Sequence, residues 1–243
     1  MWERIGVRFA PPHVHAERAA AAQRRGWRRF LRDIALILLA AVVVSFLIKT
    51  FLVRTFFIPS PSMEPTLLVD DRVLVNELVP DLIAIQHGDV VVFTDPGGWL
   101  THTASEPNPF QWLLSVAGLA APDSGDHLIK RVIGLPGDVV ACCDDFGRLT
   151  VNGDAIVEPY ADLAGHQRAS DIGFTVTVPA DGLWVMGDNR YNSMDSRYHR
   201  DDPGNGFVPI SNVVGRAILV TWPLDRWSWI DDHESRFPDS EGG

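Results

Sequence analysis

The stretch LIKRVIGLPGDVVACC (128–143) decides the fold of the chain. Two apolar runs rich in Val and Ile flank the turn residues LPGD, which is typical of short strands joined by a tight loop. Similar runs recur on both sides of this stretch, so we predict a mainly β domain. The predicted strands lie in RVLVNEL (72–78), DVVVFTD (89–95), HLIKRVIG (127–134), DVVACCD (138–144), LTVNGDAIV (149–157), FTVTVPA (174–180), LWVMGD (183–188) and GRAILVTW (215–222).

The charge of the 243-residue chain is divided unevenly along its length. Residues 1–54 carry ten Lys and Arg against three acidic residues, a net charge of +7, which leaves −17 for the remaining residues. A surface that binds nucleic acid needs clustered Lys and Arg, which the acidic part lacks. The composition therefore argues against nucleic acid as a partner, and the basic N-terminal part needs another explanation.

That explanation is a membrane. The uncharged run IALILLAAVVVSFLI (34–48) follows a cluster of five arginines, at positions 24, 25, 28, 29 and 32. A bilayer core needs about 20 residues of helix, a length that the run reaches if Lys49 snorkels and the next residues are included. Basic residues favour the cytoplasmic side. The pattern predicts a cytoplasmic basic tail over 1–33, a transmembrane anchor over 34–55 and an extracytoplasmic domain over 56–243.

Two other interpretations of the apolar run stay open, although both are less favoured than a membrane anchor. A cleaved signal peptide shows the same basic-then-apolar order, but it needs small residues at a cleavage site just beyond the run, which KTFLVRTFF (49–57) does not offer. A buried core helix ranks third, because the arginine cluster would be unusual there. The length of the chain suits one well-buried domain together with an anchor.

A Pro- and Gly-rich insertion breaks the strand pattern at about 96–126. Its apolar middle, Phe110 to Ala121, is too short to span a bilayer, so it either lies on the outer membrane surface or packs on the domain. We hold these two arrangements as equally open.

The two cysteines, Cys142 and Cys143, are adjacent and cannot form a long-range disulfide. Across a trans peptide bond their Cα atoms would lie about 3.8 Å apart, closer than a disulfide usually requires. We expect two small hydrophobic residues in a strand. The eight histidines form no metal-binding motif, so neither a metal nor another cofactor is expected.

Lys130 is one of only two lysines, against 19 arginines. A lysine retained in the outer domain of such a chain is expected to do what arginine cannot, which is to lose its proton when desolvated. A neutral lysine can activate a serine hydroxyl without a histidine. A surface lysine in an edge strand is the alternative, and the residue alone does not decide between them.

Ser62 has features that complement such a lysine. It lies in IPSPSMEPTL (58–67), where Pro61 and Pro65 stiffen a turn that could present its hydroxyl. The Ser62 N–H remains available as an oxyanion donor, and Ser60 could add a hydroxyl. The alternative is a plain Ser/Pro linker. A third segment, MGDNRYNSMDSR (186–197), is either a generic polar loop or a network that fixes neighbouring elements.

Together these segments closely resemble the bacterial type I signal peptidases. The matching motifs, in the family's order, are SPSMEPTL (60–67), GDVVVF (88–93), KRVIGLPGD (130–138) and GDNRYNSMDSR (187–197). The resemblance covers the anchor and most of 55–222. It implies a signal-peptidase-like β-sheet catalytic domain with a single N-terminal transmembrane helix.

By this resemblance the chain is a serine endopeptidase with a Ser/Lys dyad, in which Ser62 is the nucleophile and Lys130 the general base. Ser60 and the Ser62 N–H would form the oxyanion hole, and Ser193 would orient the lysine. The remaining implied supporting residues are Asp195, Arg197, Asp188, Asn189 and Arg131. The resemblance also implies cleavage after small residues of preprotein signal peptides. Its implied place is the bacterial cytoplasmic membrane near the secretion translocon, single-pass, with the N-terminus inside and the catalytic domain outside.

Two rival functions have to be weighed. A self-cleaving regulator with the same serine/lysine chemistry on a related fold would be cytoplasmic and would carry a DNA-binding helical domain; the anchor and the GDNR segment argue against it. A non-catalytic membrane-tethered β module would not need Ser62 and Lys130 together. Labelling by a serine-directed covalent inhibitor, compared between the wild type and Ser62→Ala, separates an enzyme from a module.

Overall fold

A computed structural model of the chain describes residue 27 and residues 30–45, 52–100 and 126–237. The chain divides into two compact units, residues 1–48 and residues 49–243. In the first unit, residues 30–45 are helical. Within the described ranges, no helix combines the length and the apolar character needed to cross a membrane.

Antiparallel strands make up most of the second unit. Each of the eight runs predicted as strands contains at least one, so the prediction of a mainly β domain is confirmed. The strands are β1 (Val53–Phe57), β2 (Arg72–Asn76), β3 (Val90–Thr94), β4 (His127–Gly134), β5 (Val139–Cys142), β6 (Leu149–Val151), β7 (Asp154–Ala155), β8 (Phe174–Thr177), β9 (Gly182–Met186), β10 (Val208–Pro209), β11 (Val213–Trp222) and β12 (Ser228–Trp229).

The larger sheet places β4 in its interior. Seven of its eight strands follow the order β1-β2-β11-β3-β4-β9-β10, and the eighth, β12, pairs with β11. Lys130 of β4 pairs with Val91 of β3, and Arg131 of β4 pairs with Met186 of β9. The part of β4 from Ile129 to Gly134 is buried throughout. Polar side chains on this strand are therefore kept away from water.

The smaller sheet has the order β7-β6-β5-β8. Its β6–β7 hairpin turns at Asn152 and Gly153, whose φ angles of 55° and 93° are the positive values that the Asn-Gly pair predicts. Side chains of this sheet, among them Val140 and Phe174, pack in one buried cluster with Trp184 of β9. The shared cluster joins the two sheets.

The first strand differs from the prediction for this region. The segment 53–55, assigned above to the anchor of 34–55, is paired in the sheet, with Val53 opposite Asn76. The physical reason is that apolar, β-branched and aromatic residues suit a half-buried strand as well as a membrane helix. Phe56 of this strand is buried in the core of the sheet.

The cysteines also differ from the expectation of two separate small residues. Cys142 ends β5, but its sulfur is joined to that of Cys143 in a vicinal disulfide. The peptide bond between them is cis, whereas the expectation assumed a trans bond. The two sulfurs lie 3.8 and 4.0 Å from the carbonyl oxygen of Ser170.

Two predicted regions fall largely outside the described residues. Most of the tail over 1–33 belongs to them, and so does the middle of the insertion of 96–126, including Phe110 to Ala121. At the described start of the insertion, Asp95 accepts hydrogen bonds from the backbone N–H groups of Gly97, Trp99 and Leu100.

Candidate active site

Ser62 lies in a single 3₁₀ turn, Pro61–Met63, between β1 and β2. Proline suits the first position of such a turn because it has no N–H to satisfy there. Ser60 caps the turn by accepting a hydrogen bond from the Ser62 N–H at 3.2 Å. Met63 is fully buried in the core of the larger sheet. These contacts fix the backbone of Ser62, whose side chain is itself buried.

Lys130 reaches the same point from the middle of β4. Its Nζ donates to Ser62 Oγ at 2.7 Å and to the Ile129 carbonyl oxygen at 2.9 Å. Both side chains are almost fully buried, with 4% of Lys130 and 5% of Ser62 exposed. The fold thus brings together two residues that lie 68 positions apart in the sequence. Lys130 is buried in an interior strand, so the alternative of a surface lysine in an edge strand is wrong.

Burial sets the ionisation of Lys130. Loss of water around the ammonium lowers its pKa to about 8, although the negative charges of Asp195 and Asp188 act in the opposite direction. A useful fraction of neutral amine is therefore present at mildly alkaline pH. A neutral amine at this distance can accept the proton of the Ser62 hydroxyl.

Ser193 lies beside the turn that carries Ser62. A Cβ atom on Gly187 would overlap both with Ser193 Oγ and with the Ser62 carbonyl oxygen, so these two groups occupy the space that glycine leaves. Ser193 Oγ is buried and makes no hydrogen bond of good geometry among the described residues, but it lies close enough to the Asp195 carboxylate to help lower the pKa of that group. The hydrogen bonds of Lys130 go to Ser62 and Ile129, not to Ser193.

Asn189 holds the backbone of the turn that carries Ser62. Its backbone N–H donates to the Ser62 carbonyl oxygen at 3.1 Å, and its side-chain amide donates to the Pro61 carbonyl oxygen at 3.2 Å. The loop 187–197 is thereby fixed to the turn that carries Ser62.

Arg131 and Asp188 form a fully buried ion pair next to this loop. The guanidinium donates to the two carboxylate oxygens at 2.9 and 2.8 Å, and neither side chain is exposed. Arg131 Nη1 also donates to the carbonyl oxygens of Gly88 and Asp231. Asp188 accepts a further bond from the Thr66 hydroxyl. The pair therefore connects β4, the loop 187–197 and the segment after Ser62.

A second buried pair, Asp195 with Arg197, lies within the loop itself. Arg197 donates to both oxygens of Asp195 at 2.8 Å, and the Gly187 N–H donates to Asp195 Oδ2 at 3.0 Å. Burial alone would raise the pKa of Asp195, but the hydrogen bonds and charge of Arg197 bring it below its usual value. Asp195 is thus a carboxylate that ties both ends of the loop together.

Three neighbouring residues were not singled out as site residues by the sequence. Glu158 accepts two hydrogen bonds from the buried guanidinium of Arg190. The ring of Tyr160 lies under the Arg131 guanidinium, 4.0 Å from its centre. Arg190 lies in the GDNR segment quoted above. Glu158 and Tyr160 follow a hairpin, and no motif or residue spacing in the sequence identifies them as site residues.

The chain matches a family model and several characterised relatives. The model described as "Signal peptidase, peptidase S26" matches residues 31–222. Signal peptidase I of Mycobacterium tuberculosis is 42% identical over 224 residues, covering 82% of this chain and 75% of that protein. A probable signal peptidase I of Mycobacterium leprae is 38% identical over 251 residues, covering 91% and 86%.

A crystal structure also matches. It is that of a signal peptidase I from Enterococcus faecalis V583, with 27% sequence identity and a TM-score of 0.37. The match covers 54% of this chain and 95% of that chain.

Proposed function

The chain belongs to the type I signal peptidases of the peptidase S26 family, and from this membership we propose that it is a membrane-bound serine endopeptidase that removes signal peptides from exported preproteins. That it is a peptidase follows from the family itself. The observation that carries the proposed mechanism is the buried contact between Lys130 Nζ and Ser62 Oγ at 2.7 Å. The chemistry proposed for this dyad is acyl transfer.

In the first half-reaction, the neutral amine of Lys130 accepts the hydroxyl proton as Ser62 Oγ attacks the scissile carbonyl carbon. Collapse of the tetrahedral intermediate breaks the peptide bond, and the Lys130 ammonium returns the proton to the departing amine of the mature protein. The signal peptide is left as an ester on Ser62. In the second half-reaction, Lys130 takes a proton from the water molecule that attacks the ester. The ammonium returns this proton to Ser62 Oγ as the ester bond breaks, which restores the serine and releases the signal peptide with a free carboxyl group.

The proposed oxyanion hole uses the Ser62 N–H and the Ser60 hydroxyl. The Ser62 N–H donates to Ser60 Oγ at 3.2 Å, and Ser60 is exposed. A serine hydroxyl that accepts one hydrogen bond still carries its own proton to donate. When a substrate carbonyl oxygen arrives, both donors can turn to it and stabilise the negative charge that develops there.

Ser193 is proposed to orient Lys130 during the reaction. Its buried hydroxyl and the carbonyl oxygen of Ser62 both border Gly187, and the hydroxyl proton can point to the Asp195 carboxylate, which leaves the oxygen free to accept. It is therefore able to accept a hydrogen bond from the ammonium that forms on proton transfer. The pairs Asp195–Arg197 and Arg131–Asp188, with Asn189, are proposed to fix the loop that carries it.

The proposed setting is the bacterial cytoplasmic membrane near the secretion translocon. The support is the apolar run 34–48 behind five arginines, which favours an anchor that begins at residue 34 and ends before Val53, with the N-terminus inside. Substrates are proposed to bind as an added strand, with small residues at the last and third-last positions of the leader. Shallow pockets would reject larger residues by steric overlap.

The dyad is tested by Lys130→Arg. Arginine keeps the charge but cannot act as a base at working pH, so the variant should lose as much preprotein cleavage as Lys130→Ala or Ser62→Ala. The double variant should be scarcely slower than either single one, because the two residues act as a unit. In the wild type, cleavage should rise with pH along a limb near pH 8, where Lys130 loses its proton.

The matched control is Lys49→Arg, the same substitution at the only other lysine. It should leave cleavage unchanged. Rates are measured on an authentic preprotein with enzyme free of any host peptidase, and the product is identified by N-terminal sequencing. Cleavage by Lys130→Arg near the wild-type rate would show that Lys130 is a structural cation rather than the base.

A further inference from the structure

The segment after β7 contacts two of the three buried arginines near the dyad, yet it takes no part in the chemistry proposed above. Glu158 pairs with Arg190, and the ring of Tyr160 lies under Arg131. The two residues are also joined to each other, because the Tyr160 hydroxyl donates to Glu158 Oε1 at 3.0 Å. Tyr160 is 5% exposed, so its ring is held in place by what surrounds it.

The ring covers the face of a guanidinium whose edges are already used. Arg131 donates to Asp188 through Nε and Nη2, and to the carbonyl oxygens of Gly88 and Asp231 through Nη1. All these bonds lie in the guanidinium plane, so they resist sliding in that plane but not tilting out of it. An aromatic ring 4.0 Å from the guanidinium carbon opposes the tilt, and its electron-rich face attracts the cation.

A short path leads from Arg131 to the nucleophile. Asp188 also accepts from Thr66, which lies four residues after Ser62. The next residue, Asn189, donates to the carbonyl oxygens of Ser62 and Pro61. A tilt of the Arg131 guanidinium would therefore move Asp188, and with it the group that holds the Ser62 turn.

The segment continues as a strap along the loop 187–197. Asp162 donates its N–H to the Asp188 carbonyl oxygen at 2.8 Å and accepts from the Arg190 N–H at 3.0 Å. Further along, the Tyr191 hydroxyl donates to the Arg168 carbonyl oxygen at 2.9 Å. The strap and the loop are thus joined by backbone and side-chain bonds on both sides of Asn189.

We propose that Tyr160 is a positioning residue for the cleavage reaction: its ring clamps the Arg131 guanidinium against Asp188 and so keeps the Ser62 turn aligned with Lys130. This inference rests on the function proposed above. It assigns to Tyr160 a role in the rate of the reaction, and it separates this residue from the phenylalanines that only fill the core.

Loosening the clamp has a defined electrostatic consequence. A less firmly held Arg131 leaves more of the Asp188 charge to act on Lys130, and a displaced turn admits water to the ammonium; both changes raise the pKa of Lys130. Asp195 also acts on Lys130. The charged and titratable groups around the ring itself are Arg131, Arg190, Glu158, Asp188 and His233.

The test compares Tyr160→Leu with Tyr160→Phe in the full-length enzyme. Leucine removes the ring, so kcat should fall between about tenfold and 100-fold, with little change in KM, and the acid limb of the pH profile should move up by about half a unit or more. Phenylalanine keeps the ring and should stay within about threefold of the wild type, since the face of the ring, not the hydroxyl, holds the Arg131 guanidinium. Tyr160→Met, whose longer and more flexible side chain can fill the buried space in a different shape, should behave like Tyr160→Leu.

The matched control is Phe174→Leu, which removes a buried ring from the core of the smaller sheet. It should lower the melting temperature without moving the acid limb. Rates are expressed per active site, counted by labelling Ser62 with a serine-directed inhibitor. An unshifted limb and an unchanged kcat in Tyr160→Leu would overturn the proposal, as would failure of both Leu and Met variants to fold.

The Ser62→Ala and Lys130→Ala variants are measured beside these. If either still cleaves preprotein, the proposed dyad fails whatever Tyr160 does. If both are inactive while Tyr160→Leu matches the wild type, the dyad stands and only the role of Tyr160 is refuted.

Discussion

Lys130 differs from the buried arginines around it in what it is paired with. Arg131, Arg190 and Arg197 each make two hydrogen bonds to a single carboxylate. Lys130 instead donates to a hydroxyl and to a backbone carbonyl. The charges of Asp195 and Asp188 only partly compensate this cation for its lost hydration, and this is why its pKa falls to about 8.

Replacing Lys130 by Met should therefore make the protein inactive and more stable. The pKa in the folded state lies below the ordinary value of 10.5, so between these values the unfolded chain holds a proton that the folded chain has released. The wild type thus gains stability as pH rises from 8 to 10.5, and below pH 8 it carries the full penalty of about 3 kcal/mol. The variant avoids the penalty and should be the more stable by up to that amount at pH 7.

The measurement is denaturant unfolding of both proteins in detergent at pH 7 and at pH 10. The stability difference should be largest at pH 7 and should shrink as the wild type approaches its ordinary titration range. A difference that stays constant with pH, or a variant that is less stable at pH 7, would show that burial does not lower the pKa of Lys130.

Among the elements, the loop 187–197 does most to shape the site. It supplies Asn189 to the Ser62 turn, Asp188 to Arg131, and Ser193 to the space beside the nucleophile. Its own backbone is tied by Asp195, which accepts from the Gly187 N–H and from Arg197. Such a loop can hold a catalytic geometry because few of its polar groups can move without breaking a bond.

Gly187→Ala tests how closely this loop packs on the nucleophile. The added methyl group would overlap with Ser193 Oγ and with the Ser62 carbonyl oxygen, which is backbone and cannot turn aside. Overpacking of this kind costs roughly 1–3 kcal/mol of stability, and displacement of the turn should reduce kcat by about 100-fold. Cleavage and thermal unfolding are measured on the same preparation.

Gly173→Ala is the control for this substitution. Its added Cβ would lie 3.9 Å from the nearest heavy atom, the Cys142 carbonyl oxygen, so it meets no overlap. This variant should cleave at the wild-type rate. Equal activity of Gly187→Ala and Gly173→Ala would mean that the loop yields to the methyl group and does not fix Ser62.

The regular elements were predictable from the sequence where the pattern was local. The run at 127–134 and the Asn152–Gly153 turn were assigned correctly, because β-branched runs and Asn-Gly pairs act on the backbone directly. The strand Val53–Phe57 was not predicted, because the apolar run that continues past the predicted anchor does not indicate where its helix ends. Tyr160 could not be identified either, because its importance comes from a contact with Arg131 across the fold.

The pairing of Ser62 with Lys130 lies between these cases. The scarcity of lysine marked Lys130 as unusual, and two prolines marked the Ser62 turn, but nothing in either local pattern joined residues 68 positions apart. The family resemblance supplied that link. The two-residue strands Val208–Pro209 and Ser228–Trp229 are too short to leave any alternation in the sequence.

At the scale of the whole molecule, the N-terminal part of the chain and the remainder carry opposite charge. The residues up to position 54 have a net charge of +7 and the rest of the chain has −17. Cytoplasmic leaflets are negatively charged and attract basic segments next to a span, by about 1 kcal/mol for each Lys or Arg near the surface. An acidic domain gains nothing from that surface. The charge distribution therefore favours a basic tail inside and a catalytic domain outside.

This orientation predicts the outcome of proteolysis on intact spheroplasts. An epitope tag at the C-terminus should be lost when protease is added outside, because residues 56–243 are expected on that side, while a tag at the N-terminus should survive until detergent opens the membrane. Substitution of the five arginines between positions 24 and 32 by Ser should weaken this bias, because these residues are the basis for the orientation. Loss of the N-terminal tag together with survival of the C-terminal tag in intact spheroplasts would reverse the topology. In that case the dyad would face the cytoplasm, where exported preproteins have not yet crossed the membrane, and the proposed substrate class would have to be abandoned with the topology.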